Sequence, residues 1–300
     1  MSRWLRRIGV VLGSLIGVVA VFVGWAYYAS SQKAAKVYDV ALTPFTAVSD
    51  SLSIARGKHL VESITKCVVC HGPDLGGATL VDDPALGILA GKNITSAGGV
   101  IGTYSDAELA RLIRHGVKRD GHAAAIMPSE DWISMADDDL SAIIAYLRSV
   151  PPVDRPTVNV MLRPMGKVLF ATGKLPLYTA DIIDHTIKPV ASMVPDSTVG
   201  YGRYLADIGG CTGCHGPGLS GGPIPGLPPE TPPAANLTPT GISHYTDAQL
   251  EHALRAGVRP DGSKLKEPMP VASTTLMTPI EMSAVIKFLR TVAPKEFGGR

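Results

Sequence analysis

The longest hydrophobic pattern of the chain lies close to its N-terminal end. Residues 8–28 form an uncharged run of 21 residues, which as a helix would span roughly 31 Å. Arg3, Arg6 and Arg7 precede this run, and aromatic residues lie at both of its ends, as in an interfacial aromatic belt. The pattern predicts a single transmembrane helix within residues 1–30, with the arginines in the cytoplasm and the rest of the chain outside.

A cleaved signal peptide is the alternative for this segment. Signal peptides have apolar cores of about 7–15 residues followed by a small-x-small cleavage site. The run here is longer, and Tyr27 and Tyr28 crowd the region where cleavage would fall. We therefore favour an uncleaved anchor, followed by a spacer over residues 31–54.

The remaining pattern is a repeat, because two long stretches of the chain copy each other in order with offsets of 141 to 144 residues. Such a repeat predicts two homologous domains, which we call the first repeat (residues 55–152) and the second repeat (residues 199–300). The matched segments are Cys67–His71 with Cys211–His215, Asn93-Ile94-Thr95 with Asn236-Leu237-Thr238, Tyr104 to Leu109 with Tyr245 to Leu250, Met127-Pro128 with Met269-Pro270, and Ser141 to Arg148 with Ser283 to Arg290.

Each repeat has the periodicity of amphipathic helices, so we predict an all-α fold. Capping boxes are expected at Ser105 with Glu108 and at Thr246 with Gln249, and a third at Thr278 with Glu281. In the first repeat Asp137, Asp138 and Asp139 stand at the corresponding helix start, where acidic residues complement the helix dipole. Residues 153–198 are rich in proline and aliphatic residues, and we expect this linker to pack against both repeats.

Composition excludes some classes of function. The formal net charge is only +2 and the sequence has no basic stripe, so nucleic-acid binding has no support. The chain has four cysteines, and all of them belong to the two matched Cys-x-x-Cys-His runs, as Cys67, Cys70, Cys211 and Cys214.

Cys-x-x-Cys-His is the pattern of covalent haem attachment, in which two thiols bond the haem vinyl groups and the adjacent histidine reaches the iron. A thioredoxin-like site would need a βαβ pattern, which the sequence lacks. A zinc site built from two Cys-x-x-Cys pairs usually has them some 15–20 residues apart, whereas here 140 residues separate Cys70 from Cys211. We therefore predict two haem c groups, with His71 and His215 as iron ligands.

Met127 and Met269 are the candidates for the opposite side of each iron. They follow His71 and His215 by 56 and 54 residues, and each precedes a proline in a polar segment. A thioether ligand favours ferrous iron. The alternative is a methionine that fills a gap in the core. His115 and His122 could compete for the first iron, but neither has a counterpart in the second repeat.

With these residues the chain resembles the cytochrome c family, and more closely the membrane-bound multihaem cytochrome subunits of bacterial alcohol, aldehyde and gluconate dehydrogenases. Those subunits usually have three haem domains, and they tend to carry an anchor at the other end of the chain. The resemblance implies His71 and His215 as proximal ligands and Met127 and Met269 as distal ligands. It also implies that the carbonyl oxygens of Pro84 and Pro228 accept hydrogen bonds from the two histidines. The first and last helices of each repeat are expected to cross at Gly57 and Gly202, near Tyr146 and Phe288 respectively.

These features favour a dihaem electron carrier at the periplasmic face of the cytoplasmic membrane. Its expected partners are membrane lipid and redox proteins, such as a dehydrogenase subunit or a terminal oxidase, with a quinol as another possible donor. We expect no catalysis by the chain alone. The alternative is a dihaem peroxidase, which needs one iron with a vacant or labile site. A distal cysteine, as in dihaem thiosulfate-oxidising enzymes, would need a fifth cysteine.

Overall fold

The computed structural model describes residues 3–98 and 100–299, and residues 1, 2, 99 and 300 lie outside this description. Thirteen α-helices are found in the described part of the chain, with one π-helical turn (Leu60–Ile64) that continues the second helix. The helices are α1 Arg3–Ala34, α2 Ser51–His59, α3 Cys67–His71, α4 Val100–Thr103, α5 Asp106–His115, α6 Asp137–Ser149, α7 Pro164–Ala171, α8 Val199–Ile208, α9 Cys211–His215, α10 Pro239–Ile242, α11 Asp247–Ala256, α12 Val271–Thr274 and α13 Pro279–Thr291.

Helix α1 contains the whole predicted apolar run and continues beyond residue 30 to Ala34. Among the described residues it is the helix whose length and composition would suffice to cross a membrane. Its apolar side chains are largely exposed along the run, for example Val21 at 75%. At its C-terminal end Lys33 Nζ donates to the carbonyls of Phe170 (3.2 Å) and Ala171 (3.3 Å), so this end is held against α7.

The predicted capping boxes are confirmed. The side chains of Ser105, Thr246 and Thr278 each accept a hydrogen bond from the backbone N–H three residues on, and the side-chain oxygen of the Glu or Gln there accepts one from the N–H of the Ser or Thr. Gly116 and Gly257 end α5 and α11 in the left-handed conformation, which glycine adopts without strain.

In both repeats the first helix crosses the last helix at a glycine, as the resemblance implied. A β-carbon added at Gly57 would collide with the carbonyl of Ala142 and lie 2.8 Å from Tyr146 Cβ. One added at Gly202 would collide with the Ala284 carbonyl and lie 2.9 Å from Phe288 Cβ. Two helix backbones can approach this closely only where one of them has no side chain.

The prediction of an all-α chain is wrong for one element. Three antiparallel strands form a small sheet in the order β1 (Ala78–Asp83), β2 (Gly87–Gly91) and β3 (Met161–Leu162). The tight turn between β1 and β2 is fixed because Asp83 Oδ1 accepts hydrogen bonds from two following N–H groups, at 2.8 and 2.7 Å. Strand β3 comes from the linker and is far in sequence from the β1–β2 hairpin, so the sequence around the hairpin does not predict this pairing.

The linker packs against both repeats, as expected. The N–H of Ile126 donates to the carbonyl of Leu177 at 2.7 Å in the first repeat, and Lys287 Nζ of the second repeat donates to the Ser197 carbonyl at 2.8 Å. The two repeats also share one continuous buried apolar cluster, which includes Leu60 and Leu140 of the first and Tyr201 of the second.

Candidate functional site

Helices α3 and α9, which we call the cysteine helices, have matching backbones. Each is preceded by a residue in the left-handed region, Lys66 at φ 54° and Gly210 at φ 64°, and each is followed by a glycine at φ 81° and ψ 160°. Residues three apart in a helix lie on one face, so each helix presents its two cysteines together.

The histidine that ends each cysteine helix is oriented by a backbone carbonyl. His71 Nδ1 lies 2.6 Å from the carbonyl oxygen of Lys92, and His215 Nδ1 lies 2.7 Å from that of Ala235. A carbonyl only accepts, so Nδ1 carries the proton in each ring, and Nε2 is the nitrogen that can coordinate a metal. Burial lowers the pKa of His71, which favours the neutral form that a metal requires.

The accepting carbonyls correct an expectation, because the resemblance assigned them to Pro84 and Pro228. Pro84 lies in the exposed turn between β1 and β2, and Pro228 lies in an exposed proline-rich loop. Lys92 and Ala235 instead follow the histidines by 21 and 20 residues and are themselves matched in the repeat.

The matched Asn-x-Thr motifs hold these carbonyls in place, a role that the sequence analysis missed. Asn93 Oδ1 accepts from the N–H and the hydroxyl of Thr95, at 3.0 and 2.7 Å, and its Nδ2 donates to the Val153 carbonyl at 2.8 Å. In the second repeat Asn236 accepts from Thr238 in the same way and donates to the Lys295 carbonyl at 2.7 Å. The only sequence signal was that both motifs directly follow the residue that supplies the carbonyl.

Met127 and Met269 occupy matching backbone positions. Each is half-buried and precedes a proline and a short helix, Ser129–Asp131 after Met127 and Val271–Thr274 after Met269. Met127 packs at the edge of the same apolar cluster as Cys67, and its carbonyl accepts from Thr179 Oγ1 of the linker at 2.8 Å.

Each cysteine helix lies against the methionine side of the other repeat. We call residues 127–132 the first methionine segment and residues 269–276 the second. Trp132 Nε1 donates to the Ile208 carbonyl at 3.1 Å, just before α9. Reciprocally, Ser63 Oγ donates to the Ser273 carbonyl at 3.2 Å, just before α3.

A buried polar network lies beside this contact. Arg56 Nε donates to Asp139 Oδ1 at 2.9 Å and its Nη1 donates to Glu281 Oε1 at 3.1 Å. Asp139, one of the three acidic residues expected only to complement a helix dipole, is 3% exposed and also accepts from Tyr204 Oη at 2.7 Å. The network therefore joins the N-terminal turns of α6 and α13 to the first helices of both repeats.

Two other histidines of the first repeat have partners within the protein. His59, which aligns with Tyr204, lies 2.7 Å from Glu281 Oε2 through its Nε2. His115 Nδ1 lies 3.0 Å from His185 Nδ1 in the linker, and burial together with this neighbour lowers the pKa of His115 to about 4. These contacts give both side chains structural roles.

The donor set of each cysteine helix fits a covalently attached haem. Two thiols and an imidazole with a fixed tautomer stand on one short helix, at the edge of an apolar core. Burial raises the pKa of the Cys67 thiol to about 11 and also raises that of Cys211, which shows that both sulfur atoms lie in apolar surroundings. Structure and donor set define a protein of the c-type haem class.

Comparison with known proteins places the chain more specifically. A family model described as cytochrome c matches residues 54–151 and 201–293, which together exceed half of the chain. The chain therefore belongs to the cytochrome c family. Members of this family hold covalently bound haem c and transfer electrons.

Curated relatives carry the names of dehydrogenase subunits. The fructose dehydrogenase cytochrome subunit of Gluconobacter japonicus is 26% identical over 86% of this chain and 56% of its own length. The alcohol dehydrogenase (quinone), cytochrome c subunit of Gluconacetobacter polyoxogenes is 32% identical over 43% and 28%. The gluconate 2-dehydrogenase cytochrome c subunit of Pantoea cypripedii is 35% identical over 58% and 41%. The chain thus spans about half or less of the length of these relatives.

Proposed function

We propose that this chain is a dihaem c-type cytochrome that carries electrons at the periplasmic face of the cytoplasmic membrane. The observation that carries the proposal is the duplicated cysteine helix, with a histidine held by a backbone carbonyl in both copies. One such site would support one redox centre. Two sites in contacting repeats support transfer of an electron from one centre to the other.

In this proposal the four cysteines would hold two haem c groups through thioether bonds. Cys67 and Cys70 would hold the first and Cys211 and Cys214 the second, because each pair lies on one helical turn. Each haem would supply one-electron chemistry at its iron. The protein's part is to bind the iron through His71 or His215 and to keep the apolar surroundings dry.

We assign Met127 and Met269 as the sixth ligands. Their support is their equivalence in the repeat and their half-buried positions before matching Pro-initiated helices. Thioether ligation raises the potential of an iron and leaves no open position for a substrate. This symmetry favours an electron carrier over a dihaem peroxidase, in which one iron must be accessible, and the names of the relatives do not favour the peroxidase either.

The membrane assignment rests on α1 and its flanking charges. Arg3, Arg6 and Arg7 at the start of α1 would remain in the cytoplasm, and the haem-binding repeats would then lie on the outer face. The electron donor would be a dehydrogenase subunit or a quinol, and the acceptor a terminal component such as an oxidase. The relatives named as dehydrogenase subunits favour a dehydrogenase partner.

The haem count tests the proposal. We expect two haems per chain in a pyridine haemochrome assay, and both should stay with the polypeptide in denaturing electrophoresis. The paired variants Cys67→Ala/Cys70→Ala and Cys211→Ala/Cys214→Ala are matched controls, and each should retain one haem. A count of one in the unmodified protein, or haem that acid-acetone extracts, would contradict the proposal.

A further inference from the structure

The contact between the repeats differs at one pair of matched positions. Alignment of the methionine segments pairs Asp131 of the first repeat with Ser273 of the second, and alignment of the cysteine helices pairs Lys66 with Gly210. Ser273 and Gly210 are uncharged, although the carboxylate of Glu62 lines the cavity beside Ser273. The first repeat thus supplies a carboxylate and an ammonium group where the second has neither.

Both charged groups of the first repeat reach toward the second cysteine helix. The Asp131 carboxyl occupies the space beside Gly210, where an added β-carbon would collide with Oδ2 and lie 3.3 Å from Cγ. Lys66 Nζ donates to the carbonyl of the preceding residue, Gly209. Asp131 therefore lies against the residue that directly precedes Cys211, and its carboxyl occupies the space that a side chain at Gly210 would need.

The other charged groups around Asp131 have opposing effects on its pKa. Burial and the neighbouring carboxylate of Glu130 raise the pKa of Asp131 to about 7, Lys66 opposes this shift, and Asp207 of α8 adds to it. Asp207 in turn interacts with Arg203 on its own helix. Asp131 is thus a carboxyl that changes charge near neutral pH, beside a site proposed to change charge by one electron.

We propose that Asp131 takes up a proton when the redox centre at Cys211 and Cys214 takes up an electron. One electron arrives from the protein's donor, one proton arrives from solvent, and the Asp131 carboxylate becomes the neutral acid. Oxidation of the centre releases both again. The first centre has no counterpart of this group, because Ser273 stands at the matched position. The inference rests on the proposed function, since it requires a haem in each repeat.

The sign of the effect follows from charge. An added electron makes the surroundings of Asp131 more negative and raises its proton affinity, so reduction is easier when a proton is available. The potential of the second centre should therefore fall as pH rises through neutrality. Each tenfold difference in proton affinity between the two oxidation states corresponds to about 59 mV for a one-electron couple.

Spectroelectrochemical titration of the full-length dihaem protein between pH 5.5 and 9 tests this proposal. Met269→Ala identifies the second centre, because it should move the potential of that centre alone. In the unmodified protein we expect the potential of the second centre to change with pH, and the potential of the first centre to change less over the same pH range. Asp131→Asn should abolish this dependence and hold the potential near its value at low pH, while Asp154→Asn, which removes an exposed carboxylate, should leave it unchanged.

Lys66→Gln supplies an independent signature. Loss of the cation should raise the proton affinity of Asp131, so the inflection should move to higher pH, an effect that loosened packing alone would not produce. An unchanged slope in Asp131→Asn, or an inflection that does not move in Lys66→Gln, would overturn the inference. A haem count of one would instead overturn the proposed function, so the two failures are distinguishable.

Discussion

Glu281 of the second repeat accepts a hydrogen bond from His59 Nε2 of the first repeat at 2.7 Å, across 222 positions of sequence. Glu281 is also the residue that closes the capping box of α13, because its Oε2 accepts from the N–H of Thr278 at 2.8 Å. One carboxylate thus starts the last helix and joins the two repeats. Its charge state should affect the stability of the whole assembly.

The first prediction concerns acid stability. Burial raises the pKa of Glu281, but the hydrogen bonds from His59 and Thr278 and the charge of Arg56 outweigh it and lower the pKa to about 2. A depressed pKa gives stability that is complete above about pH 4.5 and is lost as pH falls toward 2. The difference corresponds to a free energy of unfolding on the order of 3 kcal/mol.

Chemical denaturation of the wild-type protein and Glu281→Gln at pH 7 and pH 3 measures this effect. The variant should be less stable at pH 7, and its stability should fall less between the two pH values. Glu296→Gln, which alters an exposed carboxylate near the C-terminus, is the control. Equal pH dependence of Glu281→Gln and the wild-type protein would contradict the assignment.

The second prediction concerns the sixth ligands. Met127→Ala and Met269→Ala should each abolish one sulfur-to-iron charge-transfer band in the near-red ferric spectrum and lower the potential of one haem, since thioether ligation favours ferrous iron. Met165→Ala removes an exposed methionine of α7 that has no repeat counterpart, and should change neither band. A high-spin haem or rapid peroxide turnover in the unmodified protein would instead support the peroxidase alternative.

The third prediction concerns the helix crossings. Gly57→Ala and Gly202→Ala place a β-carbon against the Ala142 and Ala284 carbonyls, so each should lower the free energy of unfolding by about 1–3 kcal/mol or more. Gly200→Ala in the same helix as Gly202 meets its nearest atom, Thr198 Oγ1, at an ordinary 3.7 Å. It should be neutral or slightly stabilising in thermal unfolding, and equal losses at Gly200 and Gly202 would count against the crossing.

The fourth prediction concerns the Asn-x-Thr motifs. Asn93→Ala removes four hydrogen bonds that fix the residue after Lys92, and should cost about 1–3 kcal/mol of stability. It should also perturb the spectrum of one haem only, because the freed carbonyl orients His71. Asn159→Ala removes an exposed acceptor of the Lys92 ammonium group and should leave the spectrum unchanged.

The fifth prediction concerns the membrane. Leu15→Arg with Val18→Arg adds two charges in the middle of α1, at about 2.5–3.5 kcal/mol of insertion cost each. This double variant should release the chain from membranes that otherwise retain it after carbonate washing. Leu52→Arg, an exposed position in α2, is the matched control. A mature N-terminus near residue 30, found by mass spectrometry, would show a signal peptide instead.

Local chemistry explains which features the sequence could predict. The capping boxes at Ser105, Thr246 and Thr278 join residues three apart, and each cysteine helix has only five residues. The residues that define these features are therefore close in sequence and can be recognised without the fold. The internal repeat added long-range information, because any motif that mattered in one copy could be checked in the other. This is how Met127 and Met269 could be separated from the other methionines.

The features that were missed depend on distant residues. Strand β3 is formed by two linker residues that acquire strand character only by pairing with β2. The carbonyl that orients His71 belongs to Lys92, whose own side chain gives no hint of that role. Arg56 and Glu281 are 225 positions apart, and the only clue was that Arg56 and His59 align with tyrosines in the second repeat.

The segment that follows α1 is held closely against the first repeat and the linker. Lys36 Nζ contacts Asp181 Oδ1 at 2.5 Å, Tyr38 Oη donates to the same oxygen at 2.8 Å, and the Tyr38 N–H donates to the Gly121 carbonyl at 2.9 Å. In the proposed anchored arrangement the two repeats would not rotate freely on a flexible linker above the membrane. They would diffuse laterally with one face toward the lipid, so encounters with a donor would be collisions in two dimensions at a set height above the bilayer.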